Sequence, residues 1–280
     1  MYESYWGLEA KPFTDTADTD FYYPAETHQG ALLKLRYAVE NRRSAALLSG
    51  GAGLGKSLVV RALLRQLGEE YAPQLHVVFP QMPPDQLLAY LASSLVGASC
   101  SGPTPPVERS VRLIEQSLAE NVEQGRHAVI VIDEAQVLDD CNSLETVRLL
   151  LNIEHHAVTP MTVLLAGQGA LLPVLERTPE LEERLSVKCL LRRLSQEDSI
   201  SYIYHRLQAA GSQREIFDGS ALETVHRLSH GVPRRINRLC DLALLVGFAE
   251  ERPIINAQQI EAVSDELVTM KAPEYGAVVT

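Results

Sequence analysis

Residues Gly50-Gly-Ala-Gly-Leu-Gly-Lys56-Ser57 satisfy the spacing G-x-x-x-x-G-K-[ST]. Glycines at Gly50, Gly51, Gly53 and Gly55, with Ala52 and Leu54 between them, let backbone N–H groups turn inward as an anion nest at the positive end of a helix. Lys56 then carries a cation to the β- and γ-phosphates of a nucleotide, and the Ser57 hydroxyl is a ligand for Mg2+. Farther on, Val129-Ile-Val-Ile-Asp133-Glu134 ends an apolar run in two carboxylates. Such a pair also fits a strand that simply ends in solvent. Beside a phosphate-binding loop it reads as machinery for phosphoryl transfer, with Asp133 holding Mg2+ through water and Glu134 polarising the attacking water.

These residues need a strand before the glycines, a helix after them, and a second buried strand under the acids. Ala45–Leu48 reads as a short strand stopping at Gly50, and Ser57–Leu67 as the helix that follows. Gln29–Asn41 has helical composition, and Leu75–Phe79 reads as a strand. Pro83 and Pro84 open a helix through Val96, and residues 97–106 form a loop. Val107, Val111, Ile114, Leu118 and Val122 mark an amphipathic helix. Ala128–Ile132 is apolar throughout, as in parallel sheets covered on both faces. A helix over Ser143–His155 and a strand over Thr162–Ala166 follow, with a turn at Gly167–Gly169.

Strands alternating with helices predict a doubly wound α/β domain with a parallel sheet in three layers. After Leu194 the pattern becomes helical only. Ser195-Gln-Glu-Asp198 matches a capping box, Asp218 starts a second helix, Pro233 a third, and Asn256 caps a fourth. The organisation predicted is an aromatic, irregular arm over residues 1–30, a nucleotide-binding core over 31–193, a helical lid over 194–268 and a tail over 269–280. The arm's aromatics, Tyr2, Tyr5, Trp6, Phe13 and Phe21 among them, must pack on something.

At 280 residues the chain has room for one large or two modest domains without disulfide staples. Its 25 Lys+Arg against 36 Asp+Glu give 25 − 36 = −11, which argues against indiscriminate coating of nucleic acid. Cys100, Cys141, Cys189 and Cys240 form no CxxC pair, so reduced thiols and a cytoplasmic setting are expected. The N-terminus lacks a secretory signal pattern, and no apolar run has the ~18–20 residues of a membrane span.

The phosphate-binding loop, the tetrad Asp133-Glu-Ala-Gln136, the polar Gln168 after the next strand and the helical C-terminal region together resemble an AAA+ ATPase. Tyr5-Trp-Gly-Leu8 with Lys11-Pro-Phe13, Leu165-Leu-Ala-Gly-Gln168, Ser201-Tyr-Ile203, His205-Arg-Leu207 and Gly231-Val-Pro-Arg-Arg-Ile-Asn237 resemble the ExeA/GspA branch in particular, from about residue 2 to 265. That branch serves the general (type II) secretion pathway. The resemblance implies an ATP hydrolase with Mg2+ in which Gln168 is sensor 1, Arg234 is sensor 2 and Arg184 is the arginine finger of a neighbouring subunit in a homo-oligomer. On residue chemistry alone Gln168 also fits a turn amide, Arg235 fits a solvent-facing neighbour of Arg234, and Arg184 fits an ion pair with Glu180 one helical turn back. The chain departs from the branch in having Gly51 in place of an acid, Ser57 in place of Thr, and Gly167-Gln-Gly-Ala170 in place of Gly-Gln-Pro-Glu.

The function expected is ATP-driven change in a protein partner of a secretion or envelope complex. A DNA-associated AAA+ ATPase resembling transposition helpers is the alternative. A third is a nucleotide-gated binding module whose aromatic arm meets the partner. His155-His156, the pairs Arg192-Arg193 and Arg234-Arg235, and Cys141 are expected to be, respectively, a solvated helix end, partners of phosphates or acids, and a passive thiol.

Overall fold

A computed structural model describes residues 1–14, 16, 18–97 and 103–269, the side chains of 268 and 269 excepted. Cys100 and most of the tail expected over 269–280 lie outside the described residues. The elements in chain order are α1 (Glu3–Trp6), α2 (Glu26–Glu40), β1 (Ala45–Gly50), α3 (Lys56–Gln66), β2 (Gln74–Val77), α4 (Pro84–Val96), α5 (Val107–Glu123) and β3 (Ala128–Ile132). Then come α6 (Val137–Asp140), α7 (Leu144–Leu150), β4 (Met161–Gly167), α8 (Leu171–Glu176), α9 (Pro179–Glu182), β5 (Leu185–Leu191), α10 (Gln196–Ala209), α11 (Gly219–Ser229), α12 (Pro233–Ala249) and α13 (Ala257–Thr269). Two compact units result. One comprises Glu26–Ala52 and Lys56–Arg192; the other comprises Met1–Ala25, Gly53–Gly55 and the chain from Arg193 onward.

The first unit is built on a five-stranded sheet of order β2-β3-β4-β1-β5, and every pairing is parallel. β1, β3 and β4 are buried along their whole lengths, which is why they read as unbroken apolar runs. Ala128, Ile130 and Ile132 of β3 join a core with Leu87 and Leu91 of α4, Ile114 and Leu118 of α5 and Val147 of α7. Because strand side chains alternate, Val129 and Val131 face the opposite layer. There α2 packs on β1 and β5, and α3 on β1 and β4. This is the three-layer α/β arrangement expected.

Four details differ from expectation. β5 is not visible in the sequence: as an edge strand it alternates buried Leu185, Cys189 and Leu191 with exposed Ser186 and Lys188, so no apolar run announces it. β2 stops at Val77, and Val78 and Phe79 stand exposed. α7 ends at Leu150 rather than His155: the Asn152 and Ile153 N–H groups donate to the Leu149 and Leu150 carbonyls at 3.1 Å, tightening the end into turns three residues long. The stretch expected to be an irregular arm contains α1 and a 3-10 turn at Thr19–Phe21, and α2 begins at Glu26.

In the second unit the arm and helices α10–α13 share one core that includes Trp6, Phe13, Phe21, Tyr202, Phe217, Ile236 and Leu244. The Trp6 Nε1–H donates to the Leu244 carbonyl at 2.9 Å, and the Tyr2 hydroxyl donates to Asp241. Arg206 is 2% exposed; its Nε donates to the Pro12 carbonyl at 2.5 Å, and its guanidinium lies 4.6 Å from the Phe21 ring centre. The helix starts are chemically specified. Ser195 accepts from Asp198 N–H, Asp218 from Ala221 N–H and Asn256 from Gln259 N–H, each satisfying a backbone donor that the helix leaves free.

Candidate functional site

β1 delivers the chain to the glycine loop, and α3 starts at Lys56. The loop needs its glycines: Gly53 and Gly55 hold φ of +76° and +90°, a region costly for residues with a Cβ. Leu54 is buried, while Gly51 and Ala52 are exposed. Lys56 is buried, and its Nζ donates to the carbonyls of Gly50 at 3.0 Å and Gly51 at 3.3 Å. The ammonium therefore already lies inside the curve of the loop.

Ser57, in the first turn of α3, donates its hydroxyl to Asp133 Oδ2 at 2.6 Å. Asp133 follows β3 directly and its Oδ1 accepts from the Glu134 N–H at 3.0 Å. Burial pushes this carboxyl up, but the nearby His76 ring and hydrogen bonds from Ser57 and the Glu134 N–H together hold it below the ordinary range for aspartate. It is an anion at neutral pH. A hydroxyl and an anionic carboxylate side by side are the hard oxygen donors that a small divalent cation takes, so the pair fits Mg2+. His76 on β2, which sequence reading did not single out, brings Nε2 to 3.7 Å from Asp133 Oδ2.

Glu134 adopts φ +50°, in the left-handed region where a residue with a side chain is uncommon and strain tends to mark function. Its Oε2 accepts from Gln136 Nε2 at 2.6 Å and from Gln168 Nε2 at 3.1 Å. Gln168 follows β4, the strand between β3 and β1. Parallel strands in register thus set Ser57, Asp133, Glu134 and Gln168 at one end of the sheet, the carboxyl end where α/β folds bind ligands. The Gln168 side chain thus reaches the acid.

Arg184 lies elsewhere. It precedes β5, whose Leu185 is in register with Ala45, whereas the loop follows Gly50 at the other end of β1. Six residues of strand separate the two ends by about 17–20 Å, so Arg184 is remote from the phosphate loop of its own chain. It is exposed, and its Nη2 donates to Asn152 Oδ1 at 2.8 Å rather than to Glu180. Arg234, exposed at the start of α12, donates its N–H to the Gly53 carbonyl at 3.2 Å. A Cβ on Gly53 would stand 2.9 Å from Arg234 Cβ, so glycine permits this approach. Arg235 is exposed as well.

The remaining features stay outside the site. Among the described residues no group of three or more His, Cys, Asp or Glu could hold a metal, and His155 and His156 meet edge to face with ring centres 4.1 Å apart. Cys141, Cys189 and Cys240 are free thiols. Burial pushes Cys189 up to about 11, and burial foremost also raises Cys240, so neither supplies a thiolate at neutral pH. Among the described residues no helix is long and apolar enough to cross a membrane.

A parallel sheet of this order, a glycine loop entering a helix at Lys56-Ser57 and adjacent carboxylates just past β3 give the chain the α/β fold of P-loop nucleotide-binding proteins. Residues 39–175 match the family described as AAA domain. In sequence it is similar to General secretion pathway protein A of Aeromonas hydrophila, with 35% identity over 258 residues. That match covers 89% of this chain and 45% of the relative, so the chain spans less than half the relative's length. In fold it is similar to the ORC2 protein of Aeropyrum pernix in its ADPNP-ADP complexes, with TM-score 0.73 and 16% identity over 93% of this chain and 72% of that one. It is also similar to the RuvB Holliday junction branch migration motor of Thermotoga maritima, with TM-score 0.60 and 18% identity over 86% of this chain and 69% of that one.

Proposed function

We propose that the chain binds ATP with Mg2+ and hydrolyses it, and that the resulting conformational change acts on a protein partner in secretion or envelope-complex assembly. The observation that carries the reading is the meeting of two pairs at one end of the sheet: Ser57 with Asp133 at 2.6 Å, and Glu134 with Gln168 at 3.1 Å. Loop amides and Lys56 hold the phosphates; Ser57 and Asp133 hold the cation. Mg2+, when bound, neutralises charge developing on the phosphate oxygens. Glu134 orients and polarises the attacking water, and Gln168 donates beside it. Arg234 is the sensor 2 group on the phosphate side.

Arg184 belongs to the site of a neighbouring copy, which makes the active form a homo-oligomer. Its exposure and its distance from the loop of its own chain support this. The secretion role rests on the relative named for the general secretion pathway, and a cytoplasmic setting on cysteines that form no CxxC pair. The test is ATP turnover per subunit against protein concentration, for wild type and Arg184→Ala. Specific activity is expected to climb with concentration in wild type, and the variant to stay lower by roughly 10³-fold or more. Flat turnover with a silent variant contradicts the oligomeric site. Stimulation by duplex DNA, lost at higher salt, moves the partner from protein to nucleic acid.

A further inference from the structure

Gln136 has a role in the geometry that neither the motif nor the fold assigns. Its side-chain amide is used at both ends: Nε2 donates to Glu134 Oε2 at 2.6 Å, and Oε1 accepts the Gln168 backbone N–H at 2.9 Å. Only one orientation of the amide works. Turned over, it would set a carbonyl against a carboxylate and an NH2 against an N–H. The backbone is built around the group, because a Cβ on Gly167 would stand 3.0 Å from Gln136 Oε1. Gln168 closes the ring by donating its own Nε2 to the same Glu134 oxygen at 3.1 Å. Beneath the ring the Ala135 N–H donates to the Ala166 carbonyl at 2.9 Å, pinning the turn after β3 to β4 by a bond that does not involve Gln136.

We propose that Gln136 is a positioning residue: it ties the Glu134 carboxylate to the Gln168 backbone, so that the water-polarising acid and the polar group after β4 keep one geometry. The inference rests on the hydrolysis reading above. Glu134 lies on a turn with φ +50° and has a long side chain; without the clasp, one of its two amide donors and the fixed position of the other are lost. A displacement near 1 Å in a reacting group costs on the order of 10²-fold in rate. Substrate affinity, which depends on the glycine loop and Lys56, is untouched.

The test uses the full chain and three readouts: exchange of the Gln168 amide by NMR, ATP turnover, and nucleotide affinity. Gln136→Leu removes both hydrogen bonds at similar volume. The Gln168 amide is expected to exchange about 10-fold faster or more, with Ala135 still protected. Turnover falls roughly 10–100-fold, and the Kd for nucleotide shifts less than about 3-fold. Gln136→Glu separates the two ends. It keeps an acceptor for the Gln168 N–H, so protection persists, but sets a second carboxylate against Glu134, so turnover falls as far. Gln136→Leu with unchanged turnover or unchanged Gln168 exchange overturns the proposal. So does an equal loss in affinity and rate, which marks a general structural role. A wild-type chain that binds ATP without turning it over refutes the hydrolysis reading, and the role of Gln136 with it. The exchange readout then reports the clasp alone and keeps the two failures apart.

Discussion

Trp6 is the single tryptophan of the chain and is wholly buried. Its Nε1–H donates to the Leu244 carbonyl at 2.9 Å, and the Arg214 guanidinium lies 5.1 Å from its ring centre. Removing a fully buried indole costs about 3–5 kcal/mol, and the lost hydrogen bond about 1 kcal/mol. Trp6→Ala is therefore expected to destabilise the helical unit by about 4–6 kcal/mol. Gly247 provides the control, because a Cβ there would stand 2.9 Å from Trp6 Cζ2 and 3.3 Å from Ile255 Cγ1. A rigid ring cannot move aside as a flexible chain end could, so Gly247→Ala overpacks and costs about 1–3 kcal/mol. In the double variant the methyl enters space the indole vacated, and the two losses should fall short of additivity by about 1 kcal/mol or more. Urea unfolding followed by far-UV circular dichroism measures all three variants. Additive losses, or a Trp6→Ala cost under about 1 kcal/mol, would refute the account of the arm as part of the core.

Three further outcomes are expected. Gly231→Ala should destabilise by about 3 kcal/mol or more in urea titration, since Gly231 holds φ +68° and a Cβ would lie 2.1 Å from the Leu194 carbonyl oxygen; an unchanged midpoint contradicts this. Burial, and then the Arg42 charge, lower His127 from 6.5 to about 4. Between those values the unfolded chain takes up a proton that the folded chain refuses, so this stability is full above pH 6.5 and is lost as pH falls towards 4, by up to about 3 kcal/mol. His127→Gln should flatten that part of the stability–pH curve, and an unaltered slope argues against a neutral buried imidazole. Ser57→Ala should weaken nucleotide binding about 10-fold with Mg2+ present and leave binding in EDTA unchanged; equal weakening in both would mean that Ser57 serves the loop and not the cation.

The site was legible where its chemistry is local. A strand, four glycines and Lys56-Ser57 lie within thirteen residues, and Asp133-Glu134 closes an apolar strand. Gln168 and Arg184 came from resemblance, because a lone amide or arginine has no periodicity of its own. What stayed hidden depends on contacts distant in sequence. His76 reaches Asp133 because β2 pairs with β3, and Trp6 meets Leu244 across 238 positions. β5 was missed because an edge strand alternates exposed and buried residues while offering few turn signals. Gln136 did stand in view, two residues past Glu134, but only the fold brings the Gln168 N–H to its carbonyl oxygen at 2.9 Å. The left-handed backbone at Glu134 left no mark on residue type.

The central claim is that Glu134 polarises water for ATP hydrolysis, and Glu134→Gln tests it most directly. The amide keeps the volume but not the charge, and the phosphate loop and the Ser57–Asp133 pair are left in place. The account predicts Mg2+-dependent ATP affinity within a few-fold of wild type and turnover reduced by about 10²-fold or more. A variant that turns over ATP at the wild-type rate would contradict it.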